Sequence, residues 1–128
     1  MRVKLTTTDQ SGHLTLGETY TVVEVYDDDV RVVTDDGGPS LFLASLFEVV
    51  DAREPENWET DIDRDGVVSK GPRACLLPGF FEDVWDGRPQ ALQVFVAEAG
   101  MDAAEAQRFQ QWVRRPEARG PATPDLSE

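Results

Sequence analysis

Three aspartates at alternate positions have a spacing that could bind a metal ion. Asp61, Asp63 and Asp65 precede Gly66. This pattern matches the first half of an EF-hand loop, in which alternate carboxylates converge on one calcium ion and the glycine permits a sharp turn. Pro72 occupies the position of the closing bidentate glutamate, and the flanking residues are typical of strands. We therefore interpret the segment as a β-hairpin turn, with a weak calcium site at Asp61, Asp63 and Asp65 as the alternative.

Nucleophilic catalysis has few candidate residues in this chain. His13 is the only histidine and lies in a polar loop, and Cys75 is the only cysteine and lies in a short apolar run, which favours a buried and inert thiol. The sequence contains neither a glycine-rich phosphate loop nor a cysteine–histidine metal cluster. We therefore predict a protein that is not an enzyme and binds no cofactor. The alternatives are a spatial pair of Cys75 and His13, or an enzyme with a carboxylate or His13 in a deep pocket.

Acidic residues dominate the charge of the chain. It has 25 Asp and Glu against 12 Lys and Arg, a net charge of −13. Such a surface repels phosphate groups, so we expect neither direct nucleic-acid binding nor attachment to an anionic membrane. It attracts cations, and we expect a basic protein partner. The alternative is that the charge serves solubility alone.

The acidic residues gather in turns and on one predicted helical face. Aspartate favours turns because its side chain bonds to nearby backbone groups, so solvated turns are one interpretation. The other is a negative patch, near one edge of the predicted sheet, that captures Lys and Arg of a partner. The residues assigned to this acidic patch are Asp27, Asp28, Asp29, Asp35, Asp36, Glu82, Asp83 and Asp86.

Short β-type runs separated by turn residues occupy the first part of the chain. Both faces of the run at 19–26 carry apolar residues, which predicts a central strand covered on both sides. Strict alternation would place Tyr20 and Glu24 on one face and Val25 on the other. Asp35-Asp36-Gly37-Gly38 predicts a tight turn, because adjacent glycines accept a positive φ.

One pattern in this region resembles a known architecture. Gly17-x-x-Tyr20-x-Val22, an acidic hairpin, Asp36-Gly37 and then Leu46-Phe47-Glu48-Val49-Val50 are similar to the SH3-like small β-barrel. The resemblance covers residues 1–52 and implies a barrel of short strands with a 3₁₀ turn before the last. It implies no particular activity, because one fold hosts many functions.

The remainder of the chain predicts a hairpin followed by helices. Residues 53–72 are interpreted as a linker and hairpin extension around an Asp65-Gly66 turn. Residues 73–116 predict helices that pack on the barrel, one of them opened by a capping box of Asp102 and Glu105. A set of aromatic residues in this region is expected in the core, with an exposed groove or cofactor wall as the alternative: Phe80, Phe81, Trp85, Phe95, Phe109 and Trp112. Residues 117–128 are expected to form a disordered tail, and the whole is predicted to be an α+β protein.

These features together predict a small, acidic, non-enzymatic binding protein that engages a basic protein partner. A bacterial immunity or antitoxin protein is one such type, suggested by analogy of size and charge. The alternatives are a nucleic-acid mimic or regulator of a DNA-binding protein, and a weak calcium-binding module. We expect the cytoplasm, because the sequence has neither an apolar run of the ~20 residues that cross a bilayer nor an apolar signal segment. No feature indicates an oligomeric state.

Overall fold

The computed structural model describes residues 1–8 and 12–115. Antiparallel strands form the first part of the chain and helices the last, so the predicted α+β class is confirmed. The strands are β1 Arg2–Leu5, β2 Thr19–Tyr26, β3 Asp29–Val33, β4 Pro39–Leu43, β5 Phe47–Asp51, β6 Trp58–Ile62 and β7 Val68–Pro72. The helices are α1 Phe80–Trp85, α2 Pro89–Glu98 and α3 Ala103–Val113, with 3₁₀ turns at Ala44–Leu46 and Arg73–Leu76. The predicted tail at 117–128 lies outside the described residues.

The strands form one open sheet. Its main path runs β4-β3-β2-β1-β5, and β7 pairs with the second half of β2 while β6 pairs with β7. Among the described strands, β4 and β5 lie at the two ends of that path. The closed SH3-like barrel expected from the sequence is therefore not confirmed. The expected hairpin of β6 and β7 forms around Gly66, whose φ of 85° suits glycine.

A bulge in β2 changes which side chains face the helices. The register with β3 shifts between Val22 and Glu24, so that Val22 pairs with Val32 but Glu24 pairs with Arg31. A bulge inserts one residue and reverses the alternation that follows it. Strict alternation predicted that Glu24 and Tyr20 share a face, and the bulge makes that prediction wrong. Val25 packs against the same cluster as Tyr20 instead.

Two apolar clusters lie on the two faces of the sheet, as the pattern of β2 predicted. The inner cluster includes Val3, Leu5, Leu14, Tyr20, Val22, Val30 and Val32. The helix-side cluster joins Val23 and Val33 of the sheet to the three helices. Of the six aromatic residues expected in the core, Phe80, Phe95, Phe109 and Trp112 are buried there, and Phe81 and Trp85 pack against them half-buried.

The helices reach the sheet at the turn between β3 and β4. Gly37 and Gly38 are buried there, and a Cβ on Gly37 would lie 2.2 Å from the carbonyl oxygen of Arg108 in α3. The Arg108 side chain donates to the Thr34 carbonyl at 3.2 Å, and the Trp85 indole donates to the Pro39 carbonyl at 2.8 Å. The two glycines thus serve close helix packing as well as the turn predicted from them. None of the described helices is long and apolar enough to span a membrane.

Candidate partner-binding surface

The structure divides the predicted acidic patch between two ends of the sheet. Asp27, Asp28 and Asp29 lie at the turn between β2 and β3, whereas Asp35 and Asp36 lie at the turn between β3 and β4. Successive turns of an antiparallel meander lie at opposite ends of the shared strand. The shared strand β3 has 5 residues. At ~3.4 Å per residue such a strand is roughly 17 Å long. The expectation that all of these tips meet near one edge is therefore wrong.

Asp35 and Asp36 are occupied by contacts within the fold. Asp35 accepts hydrogen bonds from the Tyr20 hydroxyl at 2.8 Å and the Thr15 hydroxyl at 2.6 Å. Asp36 lies 2.7 Å from Nδ1 of His13. Burial raises the pKa of Tyr20 to about 12, so its hydroxyl stays a donor at neutral pH. These two aspartates hold the loop that contains His13 against the sheet.

The acidic residues of the first helix have different surroundings. Glu82 is exposed and lines a cleft against the sheet. Asp83 pairs with Arg88 at 3.3 Å, and Asp86 follows the last residue of α1 as its C-cap. Only Glu82 of these three lines that cleft.

The three alternate aspartates lie at and near the tip of the β6–β7 hairpin. Asp63 accepts the backbone N–H groups of Asp65 at 2.8 Å and Val67 at 3.0 Å, an arrangement that stabilises the turn. Across residues 1–8 and 12–115, no group of three or more His, Cys, Asp or Glu side chains is arranged to hold a metal ion.

The described residues form a cleft of about 290 Å³ beside the sheet, called the sheet cleft here. It lies between β2, β3 and β4 on one side and the segment 75–82 on the other. The face of these strands that it covers is the one that carries the helix-side cluster, called the outer face here. Its mouth carries Tyr26, Leu41 and Leu77, which are 44%, 37% and 55% exposed. Large apolar side chains gathered at an open cleft are typical of a surface that meets a partner.

An ion pair forms the floor of the sheet cleft. Arg31 donates to Oε1 of Glu24 at 2.8 Å, and its guanidinium lies 3.8 Å from the centre of the Phe81 ring. The two charged side chains are only 15% and 8% exposed, respectively. Burial raises the pKa of Glu24, and the bond from Arg31 opposes this effect only in part. The floor is thus a compensated pair of charges under an apolar rim.

Cys75 lies in this cleft beside that pair, on the 3₁₀ turn before α1. Burial, and secondly the charge of Glu24, raise the pKa of its thiol to about 12. The thiol is therefore protonated at neutral pH and is a poor nucleophile. This agrees with the buried, inert thiol expected from the sequence, and His13 lies on a different element, beside Asp36.

A second cleft, called the helix cleft here, adjoins the first. It has a volume of about 450 Å³ and is lined mainly by apolar residues of the second 3₁₀ turn, α1 and α2. Leu77 and Phe80 line both clefts and form the ridge between them. The apolar surface therefore continues from β4 across Leu77 towards α2.

Of the residues that line the sheet cleft, sequence reasoning assigned only Glu82 to a partner-binding surface. The available signal was the presence of Glu24 and Arg31 inside otherwise apolar strands, where an unpaired charge is costly. Alternation alone assigned Glu24 to the inner face, so the pair could not be placed without the bulge. No protein-family model matches this chain, and neither a curated protein nor a solved structure matches it.

Proposed function

We propose that this protein is a small, acidic, non-enzymatic binding protein that engages a basic protein partner through the sheet cleft. The observation that carries the proposal is the exposed set of Tyr26, Leu41 and Leu77 beside carboxylates. Glu24 and Arg31 offset each other on the floor. Glu82 on the rim and Asp29, which pairs with Tyr26 across the strands, form no ion pair within the described residues.

Charge and apolar contact have separate roles in this proposal. The net charge of −13 accelerates encounter with a cationic partner over distances set by the Debye length, about 8–10 Å at physiological salt. The leucines and Tyr26 then provide the desolvated contact area that slows dissociation. The protonated state of Cys75 supports a role in binding rather than nucleophilic catalysis.

Two finer interpretations accompany this proposal. The path of the sheet, with a 3₁₀ turn before β5, supports an SH3-like barrel left open at one seam. An immunity or antitoxin role in the bacterial cytoplasm is proposed by analogy of size and charge alone. A mimic of nucleic acid remains the alternative from the sequence. The engagement of Asp35 and Asp36 inside the fold favours the protein-binding role, because those carboxylates are less available to stand in for phosphates.

The test is a selection of random linear peptides displayed on phage against the immobilised protein. We expect the recovered peptides to be enriched in Lys and Arg together with large apolar residues, and to bind more weakly as salt rises. Glu82→Gln and Leu77→Ser should each lower their affinity about five- to tenfold, the effect of losing roughly 1 kcal/mol at a contact.

The matched controls carry the same changes away from the cleft. Glu56→Gln removes an exposed carboxylate, and Ile62→Ser removes a side chain that is 62% exposed at the end of β6. Both should bind like the wild type. Peptides without enrichment in basic residues, or equal losses in the cleft variants and the controls, would contradict the proposal.

A further inference from the structure

The backbone of β4 has hydrogen-bonding groups that point away from the sheet. Thr34 N–H donates to the Gly38 carbonyl at 3.0 Å, and Ala44 N–H donates to the Asp28 carbonyl at 2.9 Å. The register between β3 and β4 is regular, and every second residue of such a strand bonds to its neighbour. Between Gly38 and Ala44, the residues of β4 whose N–H and C=O groups face β3 are therefore Ser40 and Phe42. The N–H and C=O groups of Leu41 and the N–H of Leu43 therefore point to the open edge. The carbonyl of Leu43 begins the 3₁₀ turn Ala44–Leu46 instead.

The side chains at the same edge are exposed and apolar. Leu41 and Leu43 are 37% and 57% exposed, and they stand opposite Arg31 and Asp29 on the outer face of the sheet. Leu41 also lines the sheet cleft. Natural sheets usually protect an open edge with charges, because it is a template for another strand. Here the two edge positions carry leucine instead.

The first position of this strand is already occupied. Pro39 has no N–H, and its carbonyl accepts the indole N–H of Trp85. Within residues 1–8 and 12–115, the unpaired stretch of the edge is thus the end nearest the acidic turn of Asp27, Asp28 and Asp29. A strand added there would run beside three carboxylates.

We propose that an extended, basic segment of the partner adds as a strand to β4. This inference rests on the proposed function and specifies how the partner is bound. Main-chain bonds to Leu41 and Leu43 give register, and alternate side chains of the added strand lie over the outer face towards the sheet cleft. Lys or Arg at such positions reaches Glu82 and the acidic turn, while its aliphatic stem packs on the leucines.

A second copy of this chain is the competing occupant, and charge argues against it. Each copy has a net charge of −13, and pairing two β4 edges would bring two acidic turns into the same interface. Like charges placed together at an interface are unfavourable. A cationic segment gains from the same field that repels a second copy.

Leu43→Pro tests the edge directly. Leu43 has φ −59° and ψ 129°, which proline adopts without strain, and its N–H is not used by β3. The substitution therefore removes one outward donor and leaves the pairing of β3 and β4 intact. The matched control is Leu43→Ala, which also shortens the side chain but keeps the N–H. The probe is a basic peptide recovered with the wild-type protein in the selection described above.

We expect Leu43→Ala to lower peptide affinity only a few-fold, and Leu43→Pro to lower it by about a further fivefold or more, as loss of a hydrogen bond predicts. Methylation of the peptide backbone should abolish binding at alternate positions only, since every second N–H of an added strand faces β4. Melting temperatures of the two variants should agree, which separates a docking effect from misfolding.

The outcomes distinguish this inference from the proposed function. If basic peptides bind but the proline and alanine variants bind them equally, the strand addition is refuted and the proposed function stands. If no basic peptide is recovered, both are refuted. If sedimentation shows a wild-type dimer that Leu43→Pro converts to a monomer, a second copy is the occupant and the heterologous strand is refuted.

Discussion

Glu24 and Arg31 are two buried charges, and contacts with neighbouring groups offset the cost of removing them from water. Arg31 donates to Glu24 at 2.8 Å, stacks on Phe81 at 3.8 Å and reaches the Pro39 carbonyl at 3.5 Å. Removing ions from water is costly unless they are paired and hydrogen-bonded. The pair is therefore weak as a source of stability, and its position under the cleft suggests that it shapes the floor for a ligand.

The pKa of Glu24 leads to a pH-dependent stability. Because burial raises this pKa, folded Glu24 holds its proton to higher pH than unfolded Glu24, which ionises near 4.5. The folded state then binds more protons, so the free energy of unfolding falls as pH rises above about 4.5. We expect the wild type to lose stability relative to Glu24→Gln over this range, by ~1.4 kcal/mol for each tenfold difference in proton affinity between folded and unfolded Glu24.

Urea denaturation of both proteins at several pH values measures this difference. The glutamine variant keeps the shape of the side chain and an acceptor for Arg31, which makes it the appropriate reference. A wild type that gains stability relative to Glu24→Gln with rising pH would mean that attraction to Arg31 exceeds the cost of burial.

One side chain of helix α3 both caps the helix and bonds to the sheet. Glu105 is 1% exposed. Its Oε1 accepts the N–H of Asp102, which completes the capping box, and its Oε2 accepts the N–H of Thr21 in β2 at 2.8 Å. The sequence predicted the capping box, whereas the bond to β2 is a tertiary contact. The start of the helix and its position on the sheet thus depend on the same carboxylate.

Glu105→Ala should therefore be more destabilising than the loss of a cap alone. We expect a decrease of roughly 2–4 kcal/mol in the free energy of unfolding, since the cap is lost and the buried N–H of Thr21 has no acceptor. Asp102→Ala, which removes only the other half of the capping box and an exposed contact with Arg2, should cost about 1 kcal/mol.

Urea denaturation gives both values, and hydrogen exchange at the Thr21 amide shows whether its bond is lost. The amide should exchange faster in Glu105→Ala and be little changed in Asp102→Ala. Equal destabilisation by the two substitutions would mean that the bond to β2 contributes nothing beyond capping.

Acidic residues outnumber basic residues in the whole molecule, so the observed ion pairs do not cancel its negative charge. The chain has 25 acidic and 12 basic residues, and several basic residues are engaged with acidic neighbours, among them Arg2, Arg31, Arg53, Lys70, Arg73 and Arg88. The compact state therefore brings together carboxylates that the unfolded chain keeps further apart. The same excess is what would steer a cationic partner to the sheet cleft.

Added salt should consequently stabilise this protein. We expect the free energy of unfolding to rise as sodium chloride increases from low to physiological concentration, because the Debye length falls from about 30 Å at 0.01 M to about 8 Å at 0.15 M. Thermal or urea unfolding at fixed pH measures the effect, with an uncharged osmolyte at equal osmolality as the control. A decrease in stability with salt would show that local ion pairs outweigh the overall repulsion.

Local features of the fold were predictable because they depend on neighbouring residues. Pro89 at the first position of α2, the Asp102 and Glu105 box of α3 and the Asp65-Gly66 hairpin each combine a backbone requirement with a residue that satisfies it. The burial of Phe95 and Phe109 likewise follows from apolar spacing along a helix.

The candidate site was largely unpredictable because it depends on register and chain path. One extra residue in β2 moves Glu24 to the helix side without any change in composition. The alternation of bonds along β4 then decides that Leu41 and the N–H of Leu43, rather than Ser40 and Phe42, face the open edge. Because β2 carries apolar residues on both faces, its hydrophobic pattern does not reveal such a one-residue change of register.

The amino-acid sequence was sufficient for the α+β class, the acidic charge, the hairpin and helix ends, and the aromatic core, because each follows from composition or from contacts between near neighbours. It was not sufficient for the open sheet, for the acidic turns at opposite ends of β3, or for the cleft over Glu24 and Arg31. Those properties arise where segments distant in sequence pack together, and a one-residue change in register there reverses which side chains meet.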